Sequence, residues 1–118
     1  IRDDWNAPAW SFAAPFALVA GASAPVTVAI IGTVSDTTGD SGRNYRRFGQ
    51  TARAAADLVV FVGPLAHRGL RARAHDDDSS IQAFPTVRAA ADWLRGELRS
   101  GDVVLLKGSH KADHLARI

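Results

Sequence analysis

Three short runs of β-branched and aliphatic residues, each closed by a glycine, constrain this chain more than any other feature. Residues 26–31 (VTVAII) end at Gly32, 58–62 (LVVFV) at Gly63-Pro64, and 102–106 (DVVLL) at Lys107-Gly108. A strand with one face in water alternates apolar and polar residues. These runs do not alternate, so both faces must be covered, as in a parallel sheet. Residues 81–84, closed by Pro85, form a weaker strand candidate, and Ile1-Arg2-Asp3-Asp4 reads as the tail of another.

Helical patterns separate the runs. Over 44–56, Tyr45, Phe48, Ala52 and Ala55 make one apolar stripe, and over 86–98 the stripe is Val87, Ala90, Ala91, Leu94 and Leu98. Thr86 stands where an N-cap belongs, and Ser100-Gly101 supplies the stop. An earlier helix is predicted over 11–20, with Pro15 near its first turn and Gly21 at its end. A short one over 65–74 is weakened by Gly69. The alternation predicts an α/β fold, with an open, mostly parallel, Rossmann-like sheet and helices on both faces.

With 118 residues the chain can bury one core, and without a starting Met it reads as a piece of a longer protein. The lack of cysteine excludes disulfides and thiolate metal sites and fits a reducing compartment. No run is long and apolar enough to cross a bilayer, so a cytoplasmic protein without a membrane partner is expected. The net charge is only +2, and the cations, nearly all arginine, are dispersed over three predicted helices. Nucleic acid is therefore not expected as a partner.

Ligands of open parallel sheets bind outside the carboxyl ends of the strands. That rule selects four loops, at residues 3–8, 32–40, 63–67 and 107–111. The Ser- and Thr-rich second loop matches neither the P-loop pattern nor G-x-G-x-x-G, so an independent nucleotide site is not expected. Asp76-Asp77-Asp78 lacks the spaced oxygen ligands of a cation site and reads as solvated. His67 and His75 read as surface residues, and His110 and His114 lack a third ligand. No metal site is assigned, and no nucleophile–base set is legible, so no catalytic residue is assigned.

Three motifs in register resemble the carboxyl-terminal, glutamate-ligase-type domain of the Mur ligase family, most of all the branch that adds D-alanyl-D-alanine. The opening Asp3-Asp4-Trp5-Asn6-Ala7-Pro8-Ala9-Trp10-Ser11 resembles that branch's D-D-x-Y-N-A-N-P-x-S segment, one residue shorter. Tyr45-Arg46-Arg47-Phe48-Gly49 looks like its H-R-x-V-G helix. Gly101-Asp102-Val103-Val104-Leu105-Leu106-Lys107-Gly108-Ser109 is similar to its G-D-x-V-L-x-K-G-S ending.

The resemblance implies a third domain, residues 1–118, of an ATP-dependent amide-bond ligase in peptidoglycan-precursor or related synthesis. The amino-terminal and central domains would lie outside this chain. ATP and magnesium would bind mainly in the central domain, the partner over which this domain closes, and the isolated domain would bind neither and be inactive. Asp4 and Asn6 would then contact the nucleotide. Ser35, Asp36, Thr37, Lys107, Ser109 and His110 would line the pocket for an amino-acid or dipeptide amine.

Two loops depart from the family. Gly32-Thr33-Val34-Ser35-Asp36-Thr37-Thr38-Gly39 replaces G-D-M-x-E-L-G, and His110 replaces the Arg of K-G-S-R. Both belong to the implied amine pocket, so an amine other than D-alanyl-D-alanine is expected. Each residue also has a plainer reading: Asp4 as a helix cap, Asp36 in an Asx-turn, Lys107 as a solvated charge at a strand end. A free-standing binding or receiver-like α/β domain, or a protein-interaction domain without catalysis, remains the alternative function.

Overall fold

The computed structural model describes residues 2–3, 13–33, 41–108 and 118. In chain order the elements are β1 (Arg2–Asp3), α1 (Ala13–Ala20), β2 (Thr27–Ile31), α2 (Ser41–Ala55) and β3 (Leu58–Val62). A 3-10 helix (Ala66–Ala72), β4 (Ile81–Phe84), α3 (Val87–Glu97) and β5 (Val103–Lys107) follow. The strands lie in the order β1-β5-β2-β3-β4, and every described pairing is parallel.

Strand order and the right-handed crossover rule together decide where each helix lies. The steps β1 to β2, β2 to β3 and β3 to β4 all advance across the sheet in one direction. Right-handed crossovers therefore put α1, α2 and the 3-10 helix on one face. The step from β4 back to β5 runs the other way, which puts α3 on the opposite face. Two clusters match this division. Phe16, Val19, Tyr45, Ala52 and Ala66 pack on Ala29, Ile31, Val59, Phe61 and Leu105. Ala90 and Leu94 pack on Val28, Ile30, Val60 and Val62. All five residues of β2 are buried, as its unbroken apolar run requires.

Local chemistry explains the element ends. Thr86 is extended and its hydroxyl accepts from the Ala89 N–H at 3.1 Å, which caps α3 as its sequence position foretells. Gly63 closes β3 at φ 122°, a conformation that glycine adopts without a Cβ clash. Two expectations shift. α2 starts at Ser41 rather than at 44, because no apolar residue marks its first turn. The short helix expected over 65–74 forms as a 3-10 helix with the narrower bounds Ala66–Ala72. There Gly69 is a packing requirement: a Cβ would lie 2.2 Å from the Phe61 ring.

Candidate functional site

The carboxyl edge of the sheet is organised around the junction of β2 and β5. The chain leaving β2 enters α2 on one face. Beyond β5, Ile118 packs with the α3-side cluster on the other. Ligands of open parallel sheets bind outside the carboxyl ends of the strands, which places this junction on the ligand edge. Across this junction Ile31 is paired with Lys107, and the Gly32 N–H donates to the Lys107 carbonyl at 2.8 Å. Thr33 and Gly63 sit side by side at the same edge, the Thr33 hydroxyl 3.7 Å from where a Gly63 Cβ would be. The Gly63 N–H donates to the Phe84 carbonyl at 3.0 Å and ties β4 into the rim.

Lys107 is the distinctive side chain here. It is 1% exposed, so the reading of it as a solvated charge does not hold. Strand alternation puts it on the same face as Leu105, toward α1 and α2, while Val104 and Leu106 face α3. No buried side-chain nitrogen or oxygen among the described residues lacks a hydrogen-bond partner. Asp4, Asn6, Ser35, Asp36, Thr37, Ser109 and His110 lie outside the described residues, as do the cap reading of Asp4 and the Asx-turn reading of Asp36.

The other titratable candidates have structural explanations. Asp78 accepts from the Ser80 hydroxyl at 2.5 Å and its N–H at 3.0 Å, which holds its carboxyl below the ordinary aspartate range. Asp77 pairs with His75. Among the described residues no group of three or more His, Asp or Glu could hold a metal ion. Sequence reasoning missed a groove of about 550 Å³ at the opposite, amino edge, beside Trp93, Asp57 and Asp102. Asp57 there accepts from Thr27, and Asp102 accepts from the Arg99 N–H at 2.9 Å, so both acids serve the fold.

Residues 1–110 match the family model of the Mur ligase, glutamate ligase domain. The chain belongs to the Mur ligase family. Solved structures agree on the fold. A MurF structure from Acinetobacter baumannii superposes with a TM-score of 0.78 at 23% identity, covering 92% of this chain and 24% of that one. From the same organism, UDP-N-acetylmuramoylalanyl-D-glutamyl-2,6-diaminopimelate–D-alanyl-D-alanyl ligase gives 0.76 at 20%, covering 98% and 26%. MurF ligase from Thermotoga maritima in complex with ADP gives 0.71 at 18%, covering 92% and 24%. The Mur ligase chain described here thus spans about a quarter of the length of these structures. No curated protein matches it.

Proposed function

We propose that this Mur ligase domain is the carboxyl-terminal part of a cytoplasmic, ATP-dependent ligase. That enzyme joins an amino-acid or dipeptide amine to an activated carboxylate in peptidoglycan-precursor synthesis or a related pathway. The observation that carries the reading is the family match over residues 1–110. A neighbour named as a D-alanyl-D-alanyl ligase and another named as a MurF ligase in complex with ADP add weight to it. In this reading the β2–β5 edge closes over the nucleotide bound by the central domain, with Asp4 and Asn6 on the nucleotide. Ser35, Asp36, Thr37, Ser109 and His110 hold the amine, and Lys107 supplies a positive charge from beneath that edge.

The proposed chemistry sets what the domain must do. Transfer of the ATP γ-phosphate to the carboxylate gives an acyl phosphate and ADP. The amine then attacks its carbonyl carbon, expelling inorganic phosphate and losing a proton to form the amide. Water competes for that carbon, so closure that excludes water protects the intermediate. A carboxylate such as Asp36 suits an ammonium group, and a lysine suits negative charge on substrate or phosphate. The phosphate loop and the magnesium ligands are assigned to the central domain.

A steady-state assay of the full-length protein tests the proposal, with D-alanyl-D-alanine and single amino acids varied at saturating ATP. Asp36→Ala is expected to raise the KM for the amine at least tenfold and leave that for ATP within about twofold, a loss typical of an unpaired charge. Asp4→Ala is expected to do the reverse. Unchanged amine kinetics in Asp36→Ala would remove the site assignment. Phosphate release that no amine stimulates would remove the ligase reading.

A further inference from the structure

The arginines that look dispersed in the sequence are gathered by the fold. Seven of the chain's twelve arginines fall between residues 43 and 73, with Asp57 the only acid in that stretch. Asp57 is engaged with Thr27 at the amino edge. α2 and the 3-10 helix carry six of these arginines and no acid. The two elements touch: a Cβ on Gly49 would lie 2.4 Å from the Ala72 Cβ.

Helix geometry sets the direction of these charges. At about 100° per residue, Arg43 and Arg47 point away from the buried stripe of Tyr45, Gly49 and Ala52. Arg46 and Arg53 fall on the flank of α2 that carries Gly49, toward the 3-10 helix. Arg43, Arg46, Arg47, Arg53 and Arg71 are all exposed. The acids Asp76, Asp77 and Asp78 lie in the loop that leads into β4 at the amino edge.

The third helix of this layer adds an apolar element. In α1, Phe16 and Val19 are buried, whereas Leu18 is 59% exposed on the outward side beside exposed Ala14 and Ala17. α1, α2 and the 3-10 helix thus form one layer whose outer surface is cationic along two members and apolar along the third. Guanidinium groups bind phosphate in a bidentate manner, and an apolar side chain among them suits a headgroup–acyl boundary. No Phe, Tyr or Trp of these three elements is exposed to stack on a base, which disfavours single-stranded nucleic acid, and exposed Leu18 suits acyl chains rather than a duplex backbone.

We propose that the outer face of α1, α2 and the 3-10 helix is a peripheral docking surface for an anionic lipid bilayer. It is independent of the ligase site, and it differs from a spanning segment, which was the basis for expecting no membrane partner. Each arginine near such a surface strengthens partition roughly fivefold, so several together give measurable, salt-sensitive binding.

The test is sedimentation of the full-length protein with vesicles of equal parts phosphatidylglycerol and phosphatidylcholine, against vesicles of phosphatidylcholine alone. Binding is expected to the anionic vesicles only and to weaken steeply as salt rises. Arg47→Glu with Arg71→Glu should reduce it at least tenfold, and Leu18→Ser severalfold, with melting temperatures confirming the folded state. Arg88→Glu on α3 makes the same kind of charge change on the opposite face and should leave binding within twofold. If the double variant does not fold, Leu18→Ser and the salt series decide. No binding to anionic vesicles, equal loss in Arg88→Glu, or release of the vesicles by duplex DNA at lower concentration than by free lipid would overturn the proposal.

Discussion

Thr27 and Asp57 hold the starts of β2 and β3 in register through three reciprocal hydrogen bonds. The Thr27 N–H and hydroxyl donate to Asp57 Oδ2 at 3.0 and 3.3 Å, and the Asp57 N–H donates back to the Thr27 hydroxyl at 3.1 Å. The threonine is 8% exposed and the aspartate lies at the surface, so the clamp works at the boundary of the core. It sits at the end of the strands opposite the proposed ligand edge, where it serves stability.

Removing that clamp is expected to cost stability and leave the ligand edge intact. Asp57→Ala should destabilise the domain by about 1–2 kcal/mol, and Thr27→Val by a similar amount, since each leaves a partner unpaired. A double-mutant cycle by denaturant unfolding should show coupling of about 0.5–1 kcal/mol. Strict additivity would mean that the two residues do not act together.

Two glycines predict opposite signs for the same substitution. Gly69→Ala drives a methyl group into the Phe61 ring, and Phe61 is fully buried, so a loss of about 1–3 kcal/mol is expected. Gly96→Ala meets nothing within 4 Å near the end of α3 and should stabilise by about 0.5–1 kcal/mol. Thermal or urea unfolding checks both. A neutral Gly69→Ala would place the 3-10 helix farther from β3 than described.

Burial separates two functions of Lys107. Lys107→Ala removes a buried stem along with the charge and is expected to cost about 2–4 kcal/mol. Lys107→Met keeps most of the stem, so its melting temperature should stay within a few degrees of the parent. In the full-length enzyme that same methionine variant should lower ligase turnover at least tenfold, the loss expected when one fixed charge is removed from a closed site. Full turnover in a folded Lys107→Met variant would confine the lysine to a packing role.

Asp78 gives an acid-dependent signature. The Ser80 hydroxyl, then the Ser80 N–H, stabilise its carboxylate, so its folded pKa lies below the unfolded one. A group depressed in this way contributes stability above its unfolded pKa, about 3.9 for aspartate, and loses it as pH falls through the folded value. Asp78→Ala should therefore melt below the parent at neutral pH, with the gap closing as pH falls below about 4. A gap that stays constant down to the lowest accessible pH would exclude this linkage.

Much of the fold is legible in the residues because period and punctuation carry it. The stretches 58–62 and 81–84 are strands with the bounds their apolar runs suggest, and Thr86 caps the helix its hydroxyl marks. These features depend on a residue's own conformational range and on which neighbours are apolar, which are local properties. The family resemblance is legible for the same reason, since its motifs are contiguous.

What the tertiary structure alone decided depends on distance across the fold. Lys107 looks like a charge at a strand end, but the pairing of β5 with both β1 and β2 and cover from the α1–α2 side bury it. Gly69 looks like a helix breaker, yet the Phe61 ring, brought in from β3, requires a residue without a side chain there. The arginines look scattered, because a linear chain separates α2 from the 3-10 helix by β3. Only the repeated advance of right-handed crossovers in one direction lays those two elements side by side and turns dispersed charge into a surface.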